Sequence, residues 1–167
     1  MVRIREIEEA DDSGFVELRK TLDSETRFML REPGEQTMTV EEQRRWIKAI
    51  QARDNQTILV AEDGGKLVGF LSAIGGEYRR RSRTVHVVIG ILQAYSGRGL
   101  GTQLFEELER WSRARDLHRL ELTVMVHNER AIRLYRKMGF VIEGTKRHSL
   151  LVDGAYVDEY VMARILA

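Results

Sequence analysis

The stretch Tyr95-Ser96-Gly97-Arg98-Gly99-Leu100-Gly101 constrains this chain more than any other. A β-branched run from Thr84 to Leu92 leads into it, and a helix-patterned run from Thr102 to Arg115 leads out. A strand that turns through three glycines into a helix leaves backbone N–H groups uncovered and converging on one point, which suits a phosphate. Leu100, Leu104, Leu108 and Trp111 form one stripe of that helix, and His118 to Val126 then returns as a strand. The turn therefore lies inside a βαβ unit whose two strands run parallel.

The rest of the chain builds around that unit. Val2 to Ile7 alternates apolar and charged residues as a short strand does. Asp11 or Asp12 caps a helix with Phe15, Leu18 and Leu22 on its core face. Ser24 to Thr37 holds the only proline, Pro33, and reads as an irregular connection. Thr39-Val40-Glu41-Glu42 is a capping box ahead of Trp46, Ile47 and Ile50 at helical spacing. Thr57 to Ala61 and Lys66 to Ile74 form a hairpin about Asp63-Gly64-Gly65, followed by an arginine-dense loop from Tyr78 to Arg83. Asn128 precedes a helix with Ala131, Leu134, Tyr135 and Met138 on one face and a C-cap glycine at Gly139. Phe140 to Leu151 and Tyr156 to Ile165 close the chain as a hairpin about Asp153-Gly154, which gives the order β-α-α-β-β-β-α-β-α-β-β.

A length of 167 residues predicts one domain, 1–167. No apolar run approaches a membrane span and no apolar segment follows the first charges, so a cytoplasmic protein is expected. Zero cysteines exclude disulfides and thiolate nucleophiles, and four scattered histidines lack ligand spacing, so catalysis without a metal is expected. A net charge of +1 provides no broad field for nucleic acid. The run Arg79-Arg80-Arg81-Ser82-Arg83 has no interleaved aromatics beyond Tyr78 and reads as a solvated tip.

Two phosphate-binding folds are excluded by the residues. A P-loop requires Gly-Lys-Ser/Thr, whereas Thr102-Gln103 follows Gly101. A dinucleotide fold requires an N-terminal βαβ unit, whereas here the turn comes after an antiparallel hairpin. The turn, together with Asn128-x-x-Ala131-x-x-Leu134-Tyr135-x-x-x-Gly139-Phe140 at its spacing, resembles the GCN5-related N-acetyltransferase (GNAT) family. Ser96 and Gln93 depart from it, since relatives usually carry Gln or Arg at the first position and many carry Pro near the second. The resemblance implies an α/β (α+β) fold: a mixed, mostly antiparallel sheet of about seven strands, a parallel splayed pair in its middle, and about four helices on both faces.

The resemblance also implies acetyl-CoA as co-substrate. The amides of Gly97, Arg98, Gly99, Leu100, Gly101 and Thr102 would hold its pyrophosphate, and Ile89, Gly90 and Ile91 would offer main-chain bonds to its pantetheine arm. Asn128 matches a cofactor-contact position and is equally a helix cap. Tyr135 matches the general acid that protonates the departing thiolate, its other reading being a core aromatic. Thr123 stands where some relatives carry a glutamate base, which leaves His86 as the candidate base, or a histidine filling a strand face. Glu159 is a further candidate. The function implied is N-acetylation of a primary amine (polyamine, small amine or protein N-terminus) by direct attack in a ternary complex. The rival is a non-catalytic acyl-CoA-binding regulatory module. The acceptor segments, Ser24 to Thr37 and Arg147 to Tyr160, carry Glu25, Glu32, Glu35, Asp153, Asp158 and Glu159, which would attract a cation or serve only as solvated charge. Family members commonly pair, so a homodimer is a further expectation.

Overall fold

The computed structural model describes residues 1–167, and the two periodicities of the sequence resolve in it as seven strands and four α-helices. The strands are β1 (Val2–Glu6), β2 (Gln56–Asp63), β3 (Lys66–Gly75), β4 (Thr84–Ile91), β5 (Arg119–Met125), β6 (Val141–Val152) and β7 (Ala155–Ile165). The helices are α1 (Asp12–Glu25), α2 (Val40–Gln51), α3 (Leu100–Ala114) and α4 (Glu129–Lys137), none of them long and apolar enough to cross a membrane. The expected element order holds throughout. One mixed sheet in the order β1-β2-β3-β4-β5-β7-β6 contains a single parallel pair, β4 with β5.

Alternation along each strand sorts side chains onto two faces. One face packs under α1 and α2, where Phe15 stacks on Trp46 and meets Phe70 edge-on at 5.3 Å. The other packs under α3 and α4, where Phe105 lies edge-on to Tyr135 at 5.7 Å and to Phe140 at 5.5 Å. Burying an aromatic of this size contributes about 1.5–3 kcal/mol, so both helix layers are held mainly by such stripes.

Two helix starts differ from the pattern in the sequence. A 3-10 turn at Glu9–Asp11 precedes α1, and there Asp11 Oδ2 accepts the Glu8 N–H at 2.7 Å. α3 begins at Leu100, ahead of the expected Thr102, because Gly99 takes a left-handed φ of 80° that closes the turn early. The Thr39 cap forms as expected, its Oγ1 accepting the Glu42 N–H at 3.1 Å.

Candidate active site

The site begins where the sheet opens. β4 and β5 pair only over Thr84↔Arg119, Val85↔Leu120 and His86↔Glu121, and then splay apart. On its other side β4 stays paired with β3 to Ile91. The ladder parity follows from Gly76 N–H donating to Thr84 C=O and Leu92 N–H to Val68 C=O, which turns the even-numbered residues of β4 toward β3. Ile89 and Ile91 therefore present their N–H and C=O groups to the gap, with no strand opposite. Gly90 faces β3 and contributes clearance instead: a Cβ there would lie 2.8 Å from Leu22 Cδ1 and 3.0 Å from Phe70 Cε1. By the same reasoning Thr123 and Met125 of β5 face the gap, since Val126 N–H bonds Asp158 C=O of the opposite neighbour.

Below the gap the glycine turn runs into α3. The N–H groups of Tyr95 and Ser96 bond Leu92 and Gln93 C=O, and the next backbone donor with a protein acceptor is Gln103, whose N–H bonds Gly99 C=O at 3.1 Å; the N–H groups of Gly97, Arg98, Gly99, Leu100, Gly101 and Thr102 have none. A row of unpartnered amides at a helix N-terminus is an anion site, and the macrodipole adds to its positive potential. Gly101 lets α4 approach closely: a Cβ there would lie 2.7 Å from Leu134 Cδ2, so that side chain would have to shift.

Gap and turn open into one cleft of about 640 Å³. Of the residues singled out in the sequence, Tyr135, His86, Ile89, Gly90, Ile91, Gly97, Gly99, Leu100, Gly101, Thr102 and Asn128 line it. Arg98 does not: its guanidinium lies 4.8 Å from the centre of the Tyr95 ring, outside the lining, so only its amide belongs to the turn. Asn128 is the α4 cap, its Oδ1 accepting the Ala131 N–H at 3.3 Å, and it lines the cleft as well.

Tyr135 and His86 approach from opposite faces of the sheet. Tyr135 belongs to the core under α3 and α4, whereas His86 shares the strand parity of Gly90, which faces Leu22 of α1. The splay is the passage between them. Tyr135 is 8% exposed, and burial alone pushes its phenol up to about 12, which keeps the hydroxyl protonated and able to donate. His86 is exposed and meets the cleft from the open side.

The acidic residues of the two acceptor segments separate by partner. Glu25 accepts the Gln93 N–H at 2.9 Å, Glu35 the Glu32 N–H at 2.7 Å and Asp158 the His148 N–H at 2.8 Å, while Asp153 ion-pairs with Arg27. These groups, Glu25 among them lining the cleft, hold loops in place, as the solvated-charge alternative has it, and all are exposed or half-buried. Glu159 is the exception: it lines the cleft, 9% exposed, and accepts one bond from Ser149 Oγ at 2.9 Å. The apolar residues Phe28, Met29, Leu30 and Leu150 also line it, all of them within the two segments expected to set the acceptor.

Residues 15–140 match the model of a family described as Acetyltransferase (GNAT) family. The chain is 36% identical over 124 residues to the L-amino acid N-acetyltransferase AaaT of Escherichia coli strain K12, over 72% of this chain and 75% of that protein. A crystal structure of a GNAT-family acetyltransferase from Streptococcus pneumoniae superposes with a TM-score of 0.96 at 30% identity, covering all of both chains. YncA of Salmonella typhimurium, solved with its cofactor acetyl-CoA, shares the fold with a TM-score of 0.87 at 22% identity, over 99% of this chain and 94% of that one.

Proposed function

Because this chain belongs to the GNAT acetyltransferase family and is thus an N-acyltransferase, we propose that it transfers an acetyl group from acetyl-CoA to a primary amine by direct attack in a ternary complex. The observation that carries the reading is the row of unpartnered amides from Gly97 to Thr102, opening into the gap beside the free edge of β4. These features fit the co-substrate, which supplies a pyrophosphate, an amide-bearing arm and an activated thioester.

In this reading the turn amides bind the pyrophosphate and the free Ile89 and Ile91 groups bind the arm as an added strand would. Asn128 keeps α4 in register so that Tyr135 reaches the gap from one face. The acceptor amine enters from the other. Attack forms a C–N bond and breaks a C–S bond, while the ammonium form of the acceptor loses two protons overall. His86, or water beside it, takes one proton from the ammonium to solvent before attack. The second leaves the nitrogen as the tetrahedral intermediate collapses, while Tyr135 protonates the departing sulfur and regains a proton through solvent, so that one proton is released overall.

Tyr135→Phe tests the assignment. Burial is the only cause acting on the phenol, with no hydrogen-bond partner contributing, so removing its hydroxyl leaves packing intact. The expected outcome is a fall in kcat of about 10²–10⁴ with the KM for acetyl-CoA and the melting temperature unchanged. Full turnover in the variant with saturating acetyl-CoA and amine would refute the acid role. In the wild type, Tyr135 causes no alkaline loss of activity below about pH 11, one unit under its raised pKa.

A further inference from the structure

The charge inventory of the cleft restricts the acceptor further than its family does. The formally charged lining residues are Glu25, Arg130 and Glu159. Glu25 is exposed, with one oxygen taking the Gln93 N–H and no protein donor on the other. Arg130 belongs to the glycine turn, where its Nη2 would lie 3.2 Å from a Cβ at Gly97. Glu159 is the buried one of the two carboxylates, 9% exposed, with one oxygen held by Ser149 and no protein donor on Oε2.

The surroundings of Glu159 are apolar. Its ladder partner on β5 is Met125, and His127, two residues on, meets the Phe28 ring at 5.1 Å. Leu150 of β6 lines the cleft with it, as do Met29 and Leu30. The neighbouring cations are outside or engaged: Lys146, opposite Glu159 in the ladder, is exposed and not part of the lining, and Arg27 is paired with Asp153. Ser149 reaches Glu159 because the β6 ladder is irregular between Lys146 and Leu150, where His148 takes a left-handed φ of 48°.

Resting on the transferase reading, we propose that the acceptor is a primary amine borne on an apolar group, with no carboxylate and no second cation, its ammonium seated on Glu159. A substrate carboxylate would be buried beside a like charge with no arginine or lysine to receive it. The second ammonium of a polyamine would find only Glu25, which is exposed and already holds the Gln93 N–H, where solvent screening leaves little to gain. The chemistry fits two sources: a free alkyl or arylalkyl amine, and a peptide N-terminus with an apolar first residue.

The test measures CoA release with 2-phenylethylamine, L-phenylalanine, phenylalanine methyl ester, a phenylalanyl peptide amide and spermidine, alongside thermal shift with acetyl-CoA. The expected kcat/KM for the best of 2-phenylethylamine, the ester and the peptide amide exceeds those for phenylalanine and spermidine by at least about a hundredfold. A free amine as the best substrate identifies the small-molecule source, and the peptide amide identifies the N-terminal one. Glu159→Gln keeps an acceptor for Ser149 and is expected to raise the amine KM about 10- to 100-fold without changing the KM for acetyl-CoA. Leu150→Arg supplies the absent cation and is expected to raise phenylalanine turnover about tenfold. Phenylalanine or spermidine used as well as the ester, or an unchanged amine KM in Glu159→Gln, would overturn the acceptor class and leave the transferase reading standing. A thermal shift with no CoA release on any amine would overturn both.

Discussion

Gly99→Ala isolates the glycine turn as a functional device. Gly99 has φ 80°, and a Cβ built there meets nothing within 4 Å, so the substitution introduces backbone strain without a clash. A left-handed conformation costs a non-glycine residue about 1–2 kcal/mol, which lowers the melting temperature of a chain this long by about 2–8 °C. The chain has a matched control. Gly65 has φ 86°, likewise meets nothing within 4 Å, and lies at the β2–β3 turn away from the cleft, so Gly65→Ala carries the same strain. The two variants differ in what the strain displaces. Around Gly99, relaxation turns the unpartnered amides of Gly97 to Thr102 away from their common point. A hydrogen bond to a charged group contributes about 1.5–3 kcal/mol, so losing one weakens acetyl-CoA binding about 10- to 100-fold. Calorimetry with acetyl-CoA, paired with melting curves of both variants, reads the two effects separately. Equal acetyl-CoA affinities in Gly99→Ala and Gly65→Ala would refute the argument that these amides bind the co-substrate.

Two predictions concern the scaffold. Asp11 is held below the usual carboxylate range chiefly by its hydrogen bonds from Arg5, so its contribution is present above the unfolded value of about 4 and is lost as pH falls through the lowered folded value. Asp11→Asn is expected to flatten that acid limb in melting experiments from pH 7 to 2. At pH 7 it costs about 2 kcal/mol, less than a fully buried pair, because Arg5 keeps Glu62 as a partner; an undiminished acid slope would contradict the assignment. Gly90→Ala forces a methyl against Leu22 and Phe70, 1% and 4% exposed, and is expected to cost about 1–3 kcal/mol in denaturant unfolding. An unchanged midpoint would show that α1 moves freely against β4.

Much of the fold was legible because its signals are local. Alternation marked the strands, the Thr39 and Asn128 caps marked helix starts, and the short connections about Gly64 and Gly154 marked hairpins. The start of α3 was misplaced because the handedness of Gly99 is a backbone choice that glycine permits without announcing it. Within the site, the turn and Tyr135 were visible as motifs. Arg98 was assigned to the turn for its amide, and the structure adds that its side chain leaves to stack on Tyr95. The acidic residues of the acceptor segments looked alike, and only burial in the cleft distinguishes Glu159 from Glu25, Asp153 and Asp158.

The sequence by itself determined the turn, the order of elements around it and the presence of a buried phenol one helix further on, since each depends on residues within a few positions of one another. The tertiary structure decided where β4 and β5 part, and with it which residues share the cleft. The splay depends on pairing between strands more than 30 positions apart in sequence, Thr84 with Arg119 and His86 with Glu121, ending where no local pattern changes. From that break follow the free edge at Ile89 and Ile91, the meeting of Tyr135 and His86 from opposite faces, and the place of the buried Glu159 carboxylate in the cleft.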